Sequence, residues 1–197
     1  MFPSVRKTLG SLAQQSDEAL LAAVAQGDIN AFEQIYQRYF SKLMRFAVRV
    51  ADSREAAEEV ANDTLMTVWR TADRFEGRSK PSTWMFGIAY RMALKQRQKL
   101  DQRKGDLELD EGLLDAGEDG ADALILEADL AGALKRLRPE LRAVVELTYY
   151  NGLLYTEIAE ILKCPVGTVK TRMATARRRL RAMLPDYETL AVESSVA

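Results

Sequence analysis

From Asp17 to Lys99 the apolar positions recur every three or four residues, the spacing that lines one face of an α-helix. Leu20, Leu21 and Val24 open the pattern; Phe32, Ile35, Tyr36, Tyr39 and Phe40 carry it into Leu43, Phe46, Ala47 and Val50. Asp52-Ser53-Arg54-Glu55 reads as a capping box, with Asp52 accepting from the first turn of a new helix and Glu55 reaching back. That helix places Ala57, Val60, Ala61, Thr64, Leu65, Val68, Trp69 and Ala72 on a wide apolar stripe. Glu55, Glu58, Glu59, Asn62 and Asp63 fall outside it. Such an acidic face is either solvated or a docking surface, and spacing leaves both open.

A loop, Phe75 to Pro81, precedes a helix predicted from Ser82 to Lys99. Met85, Ile88, Ala89 and Met92 form its inward stripe, which leaves Trp84, Phe86 and Tyr90 off the stripe and interleaved with Arg91, Lys95, Arg97 and Lys99. Rings beside cations suit single-stranded nucleic acid, since bases stack on the rings while cations track phosphates. The competing reading makes Trp84 and Phe86 core anchors.

The segment Tyr155 to Leu184 repeats the helical spacing twice around a break. Ile158, Ala159, Ile161 and Leu162 form a stripe, with Glu157 and Glu160 expected to be exposed. Lys163-Cys164-Pro165 interrupts it, because proline lacks the donor a helix interior needs. Val169, Met173, Ala176 and Leu180 then line one face of a second helix, and Lys170, Arg172, Arg177, Arg178, Arg179 and Arg181 occupy the rest. Helix, short turn and cationic helix make a helix-turn-helix, whose second helix enters the major groove. An ordinary hairpin has no need of so lopsided a charge. Cys164 reads as a small packed residue of the turn rather than a redox sensor.

Net charge over the whole chain is −1, which conceals this signal. By segment it is +4 over residues 1–100, −9 over 101–130, +7 over 131–184 and −3 thereafter. Two cationic blocks flank an anionic one, the mark of separate modules with separate partners. The anionic block is interrupted by Gly105, Gly112, Gly117 and Gly120 and reads as an extended, self-repelling linker. In the free protein it is expected to compete with phosphates for the cationic face of the second helix. One cysteine gives neither a disulfide framework nor a metal cluster, and histidine, the commonest general base, is absent. No apolar run approaches the ~20 residues of a membrane span, and the N-terminus lacks a signal-peptide core. The expectation is a cytoplasmic protein with no direct membrane insertion.

Three segments in this order resemble the bacterial RNA polymerase sigma factors of the extracytoplasmic-function (ECF) subfamily, the minimal kind with only regions 2 and 4. AEEVANDTLMTVWR (57–70) is similar to the region 2 segment that docks on the polymerase clamp. FEGRSKPSTWMFGIAYRMA (75–93) resembles the promoter-melting segment, and the helix-turn-helix resembles region 4. The resemblance implies an all-α fold with two helical domains joined by a flexible acidic linker. The expected division is an N-terminal tail (1–16), region 2 (17–100), the linker (101–127), region 4 (128–184) and a C-terminal tail (185–197).

The implied function is to bind core RNA polymerase and direct promoter-specific transcription initiation, without catalysis and without a cofactor. The implied partners are the clamp and flap regions of the two large polymerase subunits, promoter DNA and an anti-sigma factor. By position, Glu58, Glu59, Asp63, Leu65 and Trp69 are implied to contact the clamp or support that surface. Arg78, Ser79, Lys80, Trp84, Tyr90 and Arg91 are implied at the minus-ten element. Lys170, Thr171, Arg172, Ala174, Thr175, Arg177 and Arg178 are implied at the minus-thirty-five element. The chain departs from the family pattern at Arg91, where asparagine is common, and at Thr175, where arginine is usual. Both departures bear on promoter sequence. Phosphorylation of Thr64 or Thr67 would alter the docking charge. Two other classes compete: a helix-turn-helix regulator that is not a polymerase subunit, and a carboxylate enzyme using Glu58 and Glu59. Adjacent helical residues diverge, which counts against the enzyme.

Overall fold

The computed structural model describes residues 15–105 and 130–184; the expected tails and most of the expected linker lie outside the described residues. Every regular element among the described residues is helical, in keeping with the all-α expectation. Helix α1 (Asp17–Ala25) starts at Ser16, whose hydroxyl accepts from the Ala19 N–H at 3.2 Å. Asp28 starts α2 (Ile29–Ala51) by accepting from the Asn30 and Ala31 N–H groups at 2.8 and 3.2 Å. Each cap satisfies donors that the helix itself leaves unpaired. Helix α3 (Arg54–Thr71) ends in a 3₁₀ turn (Ala72–Arg74), and α4 (Pro81–Gly105) begins with proline at its first position.

Helices α2, α3 and α4 pack on one another, with α1 against α2. Leu43, Phe46, Leu65, Met85 and Phe86 fill their shared core, and the Phe46 and Phe86 rings meet edge-on at 5.3 Å. The cap of α3 differs from the sequence reading. Ser53 is its N-cap, accepting from Ala56 N–H at 3.2 Å, and Glu55 bonds the Ser53 hydroxyl at 3.0 Å. Asp52 instead ends α2 in the left-handed region, at φ 61°, which turns its carboxylate toward the C-terminal half of the chain. Aspartate tolerates that conformation better than most side chains.

Helix α5 covers 130–135 of the described residues. Helix α6 (Pro139–Val145) runs on through a π-helical turn (Glu146–Tyr150). Helices α7 (Tyr155–Leu162) and α8 (Val166–Met183) form the helix-turn-helix. In the turn Lys163 takes φ 52° and the Cys164 N–H donates to the Ala159 carbonyl at 3.1 Å. Val169, Met173 and Ala176 are buried and Leu180 half-buried, as the spacing predicts. The two halves touch directly: α4 packs on α7, and α2 packs on α6. Helix α4 is therefore covered from both sides. That corrects the single inward stripe expected of it, since Phe86 and Tyr90 are buried together with Met85, Ile88 and Ala89.

Candidate polymerase and promoter surfaces

Glu58, Glu59 and Asp63 stand exposed on the outer face of α3, within two turns of one another. Leu65 is fully buried and Trp69 is half-buried with its ring 5.1 Å from Phe32, so both support the face from beneath. Met66, 41 % exposed, adds an apolar contact beside the acids. It escaped the sequence reading because one methionine off a stripe carries no periodic signal. Thr64 is buried with its hydroxyl 3.6 Å from the Met92 sulfur, so it is not a surface site for a phosphate; Thr67 is half-buried.

The loop before α4 turns at Gly77, φ 68°, a conformation that suits glycine. Arg78 is exposed and pairs with Glu76 at 2.5 Å; Ser79 is half-buried. Lys80 reaches across to α7 and pairs with Glu157 at 2.8 Å. Trp84 is half-buried with its ring 5.3 Å from Phe75, and Arg91 is exposed. Tyr90 is buried, its ring 6.4 Å from Phe46. Burial raises its phenol above the usual range, with Glu140, Arg172 and Cys164 of the C-terminal half close by. Arg78, Lys80 and Arg91 are thus exposed and Ser79 and Trp84 half-buried, while Tyr90 is buried and has no face open to a base.

Glu157 corrects another expectation: it is buried rather than exposed. One oxygen accepts from the Leu154 N–H at 2.8 Å at the start of α7, and the other takes Lys80. Burial acts to raise its carboxyl, but Lys80 and that N–H outweigh burial and the net shift is downward.

On α8, Lys170, Thr171, Ala174, Arg177 and Arg178 are exposed on the side away from the buried Val169–Met173–Ala176 seam. Thr175 is half-buried, and the Thr171 hydroxyl donates to the Gly167 carbonyl at 3.0 Å. Arg177 donates to the Tyr155 hydroxyl at 3.2 Å, which steadies the guanidinium at the edge of this face. Arg172 is half-buried and turns back toward the interhelix turn, its guanidinium 3.7 Å from the Cys164 sulfur.

The junction between the halves centres on Arg142, which is 1 % exposed. One of its terminal nitrogens donates to the Arg49 carbonyl at 2.7 Å and lies 3.4 Å from the Asp52 carboxylate. The other donates to the Lys135 carbonyl and, at 3.2 Å, to the Leu137 carbonyl. A guanidinium distributes its charge over four acceptors here, which offsets the cost of burying it. Burial still lowers its pKa. Glu146, four residues on, is 2 % exposed and lies 3.5 Å from Arg49. The sequence concealed this pair, since an arginine and a glutamate one helical turn apart ordinarily read as a solvated ion pair.

Among the described residues no helix is long and apolar enough to cross a membrane. Residues 15–186 match the family model for ECF sigma factors. The RNA polymerase sigma-H factor of Pseudomonas aeruginosa is 29 % identical over 88 % of this chain and 97 % of its own length. The ECF RNA polymerase sigma factor SigW of Bacillus subtilis is 32 % identical over 83 % of this chain and 94 % of its own. Among solved structures, the sigma factor RpoE of Bartonella quintana, in complex with the anti-sigma factor NepR, superposes with a TM-score of 0.68. It is 28 % identical and covers 80 % of this chain and 98 % of its own. The family match spans both halves of the described fold, and the chain belongs to the ECF sigma factor family.

Proposed function

We propose that this chain binds core RNA polymerase through the acidic face of α3 and directs it to promoters read at two elements. The observation that carries the reading is the outer face of α8, where exposed Lys170, Thr171, Ala174, Arg177 and Arg178 cover a buried apolar seam. A cationic helix face with short polar side chains at its centre fits the major groove, where cations take phosphates and small residues approach base edges. Arg78, Ser79, Lys80, Trp84 and Arg91 serve the minus-ten element, and Tyr90, buried in the closed arrangement, joins them only once it is uncovered. Glu58, Glu59 and Asp63 make the polymerase contact, with Leu65 and Trp69 beneath. Residues 17–100 and 128–184 act as the two DNA-reading domains. The protein works in the cytoplasm as an initiation factor, not an enzyme, uses no cofactor and is restrained by an anti-sigma factor.

The closed arrangement gives this function a gate. Lys80 and Tyr90 are engaged by the C-terminal half while the outer face of α8 stays open. Opening therefore has to precede or accompany promoter melting, and binding to polymerase supplies the free energy. The test is a pull-down with core polymerase followed by run-off transcription. Asp63→Arg places the wrong charge on an exposed position, so it should weaken core binding about tenfold or more with an unchanged melting temperature. Unchanged core affinity would remove α3 from the interface.

A further inference from the structure

Between α2 and the α5–α6 segment lies a cleft of about 440 Å³ lined by Lys42, Arg45, Arg49, Arg54, Lys135 and Arg142. Its lining includes two carboxylates, Asp52 and Glu146, so six cations against two anions leave +4. Met44, Val48 and Tyr150 add apolar surface to its lining. Arg142 and Asp52 already face each other, as do Arg49 and Glu146. The excess therefore sits on Lys42, Arg45, Arg54 and Lys135, all exposed. Lys42, Arg45 and Arg49 repeat at spacings of three and four along one face of α2, where like charges repel. The Nε of buried Arg142 and one oxygen of buried Glu146 also have no hydrogen-bond partner. A cleft lined by excess cations and apolar side chains together fits a chain segment of opposite charge with apolar side chains.

One such segment leads straight into it. The chain re-enters the described residues at Leu130, next to Ala131 in the cleft wall. Residues 118–129 carry Glu118, Asp119, Asp122, Glu127 and Asp129, no lysine or arginine, and the apolar run Leu124-Ile125-Leu126. Glu127 and Asp129 lie within three residues of Leu130, hence within about 10 Å of it along the chain. Tethering so short holds the segment at an effective concentration of order millimolar or above. We propose that the acidic segment 118–129 docks in the α2/α5–α6 cleft. The linker then acts as a built-in counter-charge rather than only a spacer, and its seat is the junction rather than the cationic face of α8. This assignment rests on the cleft and the charges and stands independently of the promoter reading.

The test uses the full chain with a nitroxide on Ala121→Cys in a Cys164→Ser background. Amides of residues 42–49 should broaden in preference to those of residues 170–178. The effect should vanish in about 1 M salt, where the screening length falls to about 3 Å. It should also vanish when the five linker carboxylates become amides, and in the exposed double variant Lys42→Glu/Arg45→Glu. Broadening centred on 170–178, or a pattern indifferent to both charge changes, would overturn the assignment. Inorganic pyrophosphate supplies a second readout: it should shift the cleft amides at lower concentration in the amide-substituted chain than in the parent. Equal shifts in both chains would make the cleft a general small-anion site and remove the linker from it.

Discussion

At Glu146 burial and charge oppose each other. Burial pushes its carboxyl up to about 6 from an ordinary 4.5, while Arg49 and Arg142, and then Arg45, pull it down. Below pH 4.5 the group is neutral whether the junction is closed or open, and it contributes no penalty. As pH rises from 4.5 to 6 the open form loses its proton first, so closure weakens by about 2 kcal/mol and is then flat. Glu146→Gln should therefore abolish this part of the pH dependence, read as the difference in unfolding free energy between variant and parent from pH 4.5 to 7.5. A difference that does not change with pH would mean that the carboxyl is not buried at the junction. Arg142 itself is poorly suited to such a test. Removing it strands four acceptors and costs about 3–5 kcal/mol, enough to unfold the C-terminal half.

Among the elements, α3 shows how one boundary serves two purposes. Ser53 caps it, so Ser53→Ala should cost about 1 kcal/mol and lower the melting temperature by a few degrees, leaving polymerase affinity intact once folded. Differential scanning calorimetry decides this, and an unchanged midpoint would mean that Asp52 provides the cap after all. Helix α4 shows the opposite economy. Its aromatic residues were legible in the sequence as a set, but their fates diverge: Phe86 and Tyr90 are buried and Trp84 is half-buried. Helical spacing assigns one inward face per helix, and α4 has packing partners on both sides.

For the whole molecule the question is how firmly the two halves are closed. Asp52→Asn keeps a side chain that tolerates φ 61° while removing the charge facing Arg142. Asp52 is partly exposed, so screening limits the loss to about 1 kcal/mol, roughly a fivefold drop in the closed-to-open ratio. Energy transfer between dyes on the two halves should report that drop, and an unchanged distance distribution would show that closure rests on apolar packing alone. Lys80→Gln removes the second tie, and the two variants should add, because they touch separate partners.

Helices α1 to α4, the helix-turn-helix, the buried seam of α8 and the acidic face of α3 follow from local periodicity and composition, and the sequence by itself determined them. Local rules apply there because each residue's environment is set by neighbours three or four positions away. Only the tertiary structure decided that Glu157 is an anchor for Lys80, that Tyr90 is covered, and that Arg142 and Glu146 are buried rather than solvated. Those outcomes depend on partners 77 residues away for the Glu157–Lys80 pair and 93 residues away for the Arg142 hydrogen bond to Arg49. A charged side chain looks the same in the sequence whether water or another helix lies beyond it; packing between the two halves makes that choice.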